Sequence, residues 1–217
     1  MILLGGCNSR QVKITGAIQG LDGTVRLLTE SPGGKGFSVL VQQEVKDGRF
    51  ELRTEQIVPP AQVWIDLRGR RMVELIVDAR EGTLIEGSTD SLDRIKVTGS
   101  SLAEMYAHVK QTLDEKFGHD IENYNARILE ISRKEKLTRD DEMKLGKYQL
   151  DRQRMVGRRA DYVKQMIRSN PPQRELSLFL LKNELVDSLD AQKRLFNTLA
   201  IRNKESNIYK ILEQQLR

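Results

Sequence analysis

Val97-Thr98-Gly99-Ser100-Ser101-Leu102-Ala103-Glu104-Met105 is the stretch on which the fold turns. Before it, apolar residues recur at every second position; after it, at every third or fourth. A period of two puts alternate side chains on one face of a strand, whereas a period near 3.6 puts them on one stripe of a helix. Ser101 followed by Glu104 has the spacing of a capping box, in which the serine oxygen accepts from a free backbone amide and the glutamate reaches back. A helix is therefore expected to start there.

Toward the amino end the alternation is sustained. Val12 and Ile14, Val25 and Leu27, Val39 and Val41, and Phe50 and Leu52 each share a parity. So do Val63, Ile65 and Leu67, then Val73, Leu75 and Val77, and finally Ile95 and Val97. Turn residues separate the runs: Asp22-Gly23, Asp47-Gly48, Arg68-Gly69-Arg70 and Arg80-Glu81-Gly82. Asp-Gly supplies the positive φ angles of a tight hairpin turn, so Val45-Lys46-Asp47-Gly48-Arg49-Phe50 reads as a hairpin. Pro59-Pro60 marks a loop, because proline cannot donate inside a central strand. Trp64 has the opposite parity to Val63 and Ile65, which places it on the outer sheet face, against helices or a ligand. Seven or eight short strands at this spacing predict an antiparallel sandwich.

Toward the carboxyl end Leu102, Met105, Val109, Leu113, Phe117, Ile121, Tyr124, Ile128 and Ile131 form one apolar stripe. Arg133–Lys136 is a charged turn. Thr138 and Asp141 signal a second cap, and a further helix runs to Ser169 with Met143, Tyr148, Met155, Tyr162, Val163 and Met166 on its stripe. Two long helices joined by a short turn pack antiparallel. Asn170-Pro171-Pro172 ends the second, since the residue before proline avoids the α region. Leu176, Phe179, Leu180, Asn183 and Val186 predict a third helix, and Leu189–Ile201 and Glu205–Leu216 two short ones. The expected class is α+β: a short segment over 1–10, an antiparallel β-sandwich over 11–100, and an all-α domain over 101–217 built on a long antiparallel helical hairpin.

The single cysteine, Cys7, stands directly behind Leu4-Gly5-Gly6. An aliphatic residue, two small residues and a cysteine form the pattern read by bacterial lipoprotein signal peptidase, with the sulfur receiving diacylglycerol. Leu4, Gly5 and Gly6 would be the lipobox and Cys7 the lipidation site, with Asn8 to Arg10 as a tether. A full secretory signal has about 7–15 apolar residues before its cleavage site. Only Met1 to Leu4 precede the small residues, so this reading expects a longer leader.

One cysteine excludes an internal disulfide framework and a Cys-x-x-Cys redox pair. The net charge is +5, carried by the second part of the chain: residues 1–100 hold 13 Lys/Arg and 13 Asp/Glu, the remainder 23 and 18. The neutral first part and an aromatic content of 5% argue against nucleic acid as a partner. Arg152, Arg154, Arg158 and Arg159, with Lys147, form the densest basic cluster, which could meet an anionic headgroup but reads more simply as a solvated face paired with Asp151 and Asp161. His108 and His119 are eleven residues apart on one helix, about 16 Å, too far to share an ion. Asp140-Asp141-Glu142 complements a helix N-terminus without any metal. Ser31-Pro32-Gly33-Gly34-Lys35-Gly36 lacks phosphate-loop spacing and reads as a loop.

The first part also shows an order of pieces: Ile14-Thr15-Gly16, Leu21-Asp22-Gly23, Lys46-Asp47-Gly48-Arg49-Phe50, Leu75-Ile76-Val77-Asp78-Ala79, Gly82-Thr83-Leu84-Ile85-Glu86-Gly87 and Val97-Thr98-Gly99-Ser100. Over roughly residues 11–110 this resembles the domain-of-unknown-function family numbered 4369, found at the N-terminus of lipoproteins of Bacteroides-like bacteria. Many relatives continue into a thioredoxin-like thiol–disulfide oxidoreductase domain. Ile167-Arg168-Ser169-Asn170-Pro171 with Leu178-Phe179-Leu180-Leu181 is similar to the segment ahead of that domain. Asp78-Ala79-Arg80-Glu81-Gly82 departs from the Glu-Pro-Gly turn of many relatives. With one cysteine, the redox activity passes to no residue here. The resemblance implies a lipoprotein address with Cys7 as the matching position. The expectation is a non-enzymatic, lipid-anchored cell-envelope protein, acting as scaffold or binding module, with a membrane contact through its lipid, a possible protein partner, an unknown ligand and no cofactor. The alternative is a truncated or split thiol–disulfide oxidoreductase lacking its catalytic domain.

Overall fold

The computed structural model describes residues 11–31, 36–169, 174–185 and 189–217. Two compact units emerge. One gathers the described residues of Met1–Glu104 with Ile201–Arg217; the other is Met105–Ala200.

The first unit holds eight strands: β1 (Val12–Gln19), β2 (Gly23–Glu30), β3 (Phe37–Val45), β4 (Arg49–Thr54), β5 (Ala61–Leu67), β6 (Arg71–Val77), β7 (Thr83–Ser88) and β8 (Lys96–Thr98). They form two four-stranded sheets, ordered β4-β1-β7-β8 and β3-β2-β5-β6. Val12, Ile14, Ile18, Leu52 and Ile85 from the first sheet share a core with Val25, Leu27, Val63, Ile65 and Val77 from the second, each at most 1% exposed. The α+β class with an N-terminal sheet unit is thus the observed one, and alternate burial along β1 and β4 follows the period of two. One pair departs from the antiparallel expectation: β1 and β7 run parallel, from Ile14 opposite Thr83 to Gln19 opposite Ser88.

Val45–Phe50 is not a hairpin. β3 pairs with β2 and β4 pairs with β1, so the chain changes sheet at this turn. Its local geometry is as the sequence predicts, with Asp47 at φ 58° and Gly48 at φ 72°. The turn's partners lie elsewhere. Gly48 O accepts from Ile18 N at 2.9 Å, Leu21 O accepts from Gly48 N at 3.0 Å, and Asp22 Oδ1 accepts from Asp47 N at 3.0 Å. Two sheet-changing corners, β1–β2 and β3–β4, therefore interlock. Arg68-Gly69-Arg70 does make a hairpin, joining β5 and β6 with Leu67 opposite Arg71.

Val39 and Val41 do not share a face. The β2–β3 register shifts between Leu27 and Leu28, which pair with Val41 and Val39, so Leu40 is an extra residue. This bulge turns Val39 outward, 52% exposed, while Leu40 and Val41 pack on the core. Trp64 lies on the outer face as its parity predicts. Phe37 packs edge-on against it, with centroids 4.8 Å apart.

The long helix begins at α1 (Ser101–Leu113), passes through a π-helical turn at Asp114–Gly118 and continues as α2 (His119–Ser132). Its cap sits one residue earlier than Ser101. Ser100 Oγ accepts from Ala103 N at 3.1 Å, and Asp78 Oδ2 accepts from both Ser101 Oγ and Leu102 N. An aspartate distant in sequence thus accepts from a free amide at the helix start, the work assigned to the Ser101 oxygen.

In the second unit α2 packs against α3 (Arg139–Ser169). Arg152 bonds Asn125, Arg127 bonds Tyr148, and Lys134 bonds Asp141, so rising positions on one helix meet falling ones on the other. This is the predicted antiparallel hairpin. Thr138 caps α3 as expected, its Oγ1 accepting from Asp141 N at 3.2 Å. Met143 leaves the predicted stripe, being 69% exposed, whereas Val163 and Ile167 are buried. α4 (Arg174–Glu184) is buried around its whole girth from Leu176 to Leu181, and α5 (Leu189–Thr198) follows. Val186 lies outside the described residues. Glu184 accepts from Tyr106 Oη at 2.8 Å and from Arg159 Nη2 at 2.5 Å, which satisfies both oxygens of a nearly buried carboxylate.

The stretch over 101–217 is helical as expected, but its last part groups with the sheets. α6 (Asn207–Gln215) belongs to the β unit. Asn207 N donates to Val58 O at 2.9 Å, Asn207 Oδ1 accepts from Val58 N at 2.6 Å, and Asn203 Nδ2 donates to Pro59 O at 2.8 Å. Ile208 and Leu212 bury their side chains there, 0% and 1% exposed.

Candidate functional site

Leu4, Gly5, Gly6 and Cys7 lie outside the described residues, as do positions 32–35 of the glycine-containing loop. The arginine cluster is not one site. Arg152 Nε donates to Asn125 Oδ1, Arg154 pairs with Asp151 at 3.4 Å, and Arg159 is spent on Glu184. Asp161 pairs with Lys164 at 2.8 Å rather than with an arginine. His108 and His119 are both exposed on the long helix. Among the described residues no group of three or more His, Cys, Asp or Glu side chains is arranged to hold a metal ion.

A better-formed arrangement lies near the tip of the helical hairpin. α2 ends at Ser132, the chain turns through Arg133–Leu137, and Thr138 starts α3. Antiparallel packing then sets the last two turns of α2 beside the first turns of α3. Between them is a basin of about 520 Å³, with Arg127, Glu130, Lys134, Asp141, Lys144 and Tyr148 on its walls. Ile131, 6% exposed, supplies buried apolar surface.

The electrostatics are layered. Asp141 Oδ1 accepts from Lys134 Nζ at 2.5 Å, and its Oδ2 accepts from Thr138 N and Oγ1 at 3.1 and 2.8 Å. The Lys134 ammonium first, then the Thr138 backbone and hydroxyl, lower the Asp141 pKa to about 2. Lys144 Nζ pairs with Asp140 at 2.6 Å, and that bond, with the carboxylate's charge, raises the lysine's pKa. Arg127 is different. Its Nε donates to Asn123 Oδ1 at 3.1 Å and its Nη1 to Tyr148 Oη at 3.1 Å, and its guanidinium stands 5.3 Å from the Tyr148 ring centroid. All three contacts are with neutral groups.

Compared with protein-family models, with curated proteins and with solved structures, this chain matches none. The site is therefore argued from its own residues.

Sequence reading missed this basin because its members come from two helices and a turn. Asn123 and Arg127 are visible as an i, i+4 pair, but nothing in the sequence states that Tyr148 stands opposite them. A second cleft, in the β unit, measures about 270 Å³ and lies between α6 and the β2–β3 edge, with Ser38, Val39, Gln56, Asn207 and Ile211 on its walls. Several of its polar groups already serve the fold. Ser31 and Ser38 hydroxyls bond each other at 2.8 Å, Gln56 Nε2 donates to Leu40 O, and Asn207 Oδ1 holds Val58.

Proposed function

We propose that this chain is a lipid-anchored protein of the bacterial cell envelope, outside the cytoplasm, whose folded units act as a scaffold or binding module rather than as a catalyst. The observation that carries the reading is Leu4-Gly5-Gly6-Cys7, with the chain's single cysteine at the position lipidation requires. The passage from sheets to a long helix at Val97–Ser101 supports it, since the lipoprotein domain that the sequence resembles ends in the same way. Bacterial lipoproteins carry more than one acyl chain on the terminal cysteine. Two or more chains give stable anchoring where one gives only marginal binding.

The test is fractionation of the full chain expressed behind a complete signal sequence. Wild type is expected in the membrane fraction, with mass spectrometry showing acylated Cys7, and Cys7→Ala in the soluble envelope fraction. An unmodified Cys7 thiol in mature protein, or a Cys7→Ala variant that stays membrane-bound, overturns the reading.

A further inference from the structure

We propose that the basin between α2 and α3 binds a phosphate-type oxyanion, held by Arg127, Lys134, Lys144 and the Tyr148 hydroxyl. This goes beyond the anchoring reading and does not depend on it.

The first argument is charge. Three cationic side chains line one basin of about 520 Å³. Lys134 and Lys144 are each matched by a carboxylate, Asp141 and Asp140. Among the described residues no carboxylate oxygen lies within 4 Å of the Arg127 guanidinium, whose bonds go to Asn123 and Tyr148. Arg127 is therefore the cation on the basin wall that no carboxylate contacts.

The second argument is orientation. Bonds from Nε and Nη1, with the ring of Tyr148 beside the guanidinium plane, fix Arg127 and leave the two N–H groups of Nη2 unspent. A guanidinium held this way loses little side-chain freedom on binding an anion. Tyr148 Oη accepts from Arg127, so its own proton remains to be donated. Each lysine ammonium has three protons, of which the described ion pair uses one. The donor set thus contains a planar fork, a hydroxyl and two ammonium groups drawn from two helices and a turn. A tetrahedral oxyanion presents acceptors in several directions to such a set, whereas a planar carboxylate presents them in one plane.

The basin also contains an opposing charge. Glu130 lines it, is exposed and forms no ion pair among the described residues. Its charge repels an incoming anion, so removing it should tighten binding.

Inorganic phosphate is the probe, titrated at low ionic strength into the full chain and followed by amide and side-chain NMR shifts. Saturable shifts confined to Arg127, Lys134, Lys144, Tyr148 and their neighbours are expected. Arg127→Gln should weaken binding about tenfold or more, as expected for a lost charge-assisted hydrogen bond. Glu130→Gln should strengthen it about two- to fivefold. Arg154→Gln is the control, since Arg154 is exposed, paired with Asp151 and outside the basin. It should bind as wild type does. Vesicles of phosphatidylglycerol, set against phosphatidylcholine, separate the sources. Shifts of the same residues with the anionic vesicles identify a lipid headgroup, and shifts with free phosphate alone identify a soluble phosphate compound. If Arg127→Gln loses the wild-type circular dichroism, Arg127→Lys decides, because it keeps the charge and loses the fork. Several-fold weaker binding in it supports the site. No saturation by about 30 mM phosphate, shifts spread over all basic residues, or an arginine variant within twofold of wild type overturns the proposal.

Discussion

The interlocked corners of the β unit make Gly48→Asn a decisive substitution. In a free two-residue hairpin turn asparagine is well tolerated, because its short polar side chain accepts positive φ. Here a Cβ at Gly48 would lie 2.0 Å from Ile18 O and 2.8 Å from Ile18 C, backbone atoms of the neighbouring corner. Relief requires the corners to separate by more than about 1 Å, since ordinary carbon–oxygen contact begins near 3.4 Å. That separation breaks the Ile18 N to Gly48 O and Gly48 N to Leu21 O bonds. Ile18 and Leu21 are each 1% exposed, so water does not easily replace what is lost. Leaving two buried groups unpaired costs about 1–3 kcal/mol each, which sets the expected loss at about 2–6 kcal/mol. Gly69→Asn is the matched control. Gly69 also has positive φ, 69°, but no heavy atom lies within 4 Å of its built Cβ, so the expected loss is below about 1 kcal/mol. Urea unfolding followed by the fluorescence of Trp64, the chain's only tryptophan, reads the β unit directly. Losses within about 1 kcal/mol of each other would refute the interlocked-corner reasoning and restore the simple hairpin.

Gly16→Ala should also destabilise the β unit, by about 1–3 kcal/mol, because its Cβ would fall 2.0 Å from Phe50 Cζ, within the aromatic ring that lies across the glycine. The obstacle is a side chain, so Phe50→Leu in the same chain should recover part of the loss; equal additive losses in the same fluorescence assay would contradict this. Asp141 gives a pH dependence confined to the helical unit. Its pKa falls from 3.8 to about 2 on folding, so the stabilisation is complete above about 4 and is lost as pH drops from there through about 2. The advantage of wild type over Asp141→Asn, measured by far-ultraviolet circular dichroism during urea unfolding, should shrink across that window. A constant difference would contradict the ion-pair account.

Much of the architecture was legible because burial imposes a period, and the period is written in residue types. The strands, the long hairpin and the Thr138 cap were all recoverable in this way. The failures share a cause: each depended on which segment lies beside which. Leu40 breaks the parity of β3 because a bulge needs one extra residue, and nothing in Phe37–Val45 announces it. Asp47-Gly48 has hairpin chemistry, yet its flanking strands belong to different sheets. Asp78 replaces the Ser101 oxygen as the acceptor at the start of α1 from 24 positions away, measured to Leu102. Arg127 is one cation among many in the sequence, and the ring that orients it, Tyr148, stands 21 positions away on the next helix. Met143 has helical spacing but lies on the solvent side of α3, 69% exposed.

The clasp of Asn203 and Asn207 on the Val58–Pro60 backbone has a consequence for biosynthesis. The sheets are translated before residues 203–208, which supply the bonds to the Val58, Pro59 and Pro60 backbone. The helical segment, whose contacts are closer in sequence, can settle during elongation, while the earlier-made sheets wait with an unsealed end. The bonds that hold the Val58–Pro59 backbone thus wait for residues 144 to 149 positions downstream.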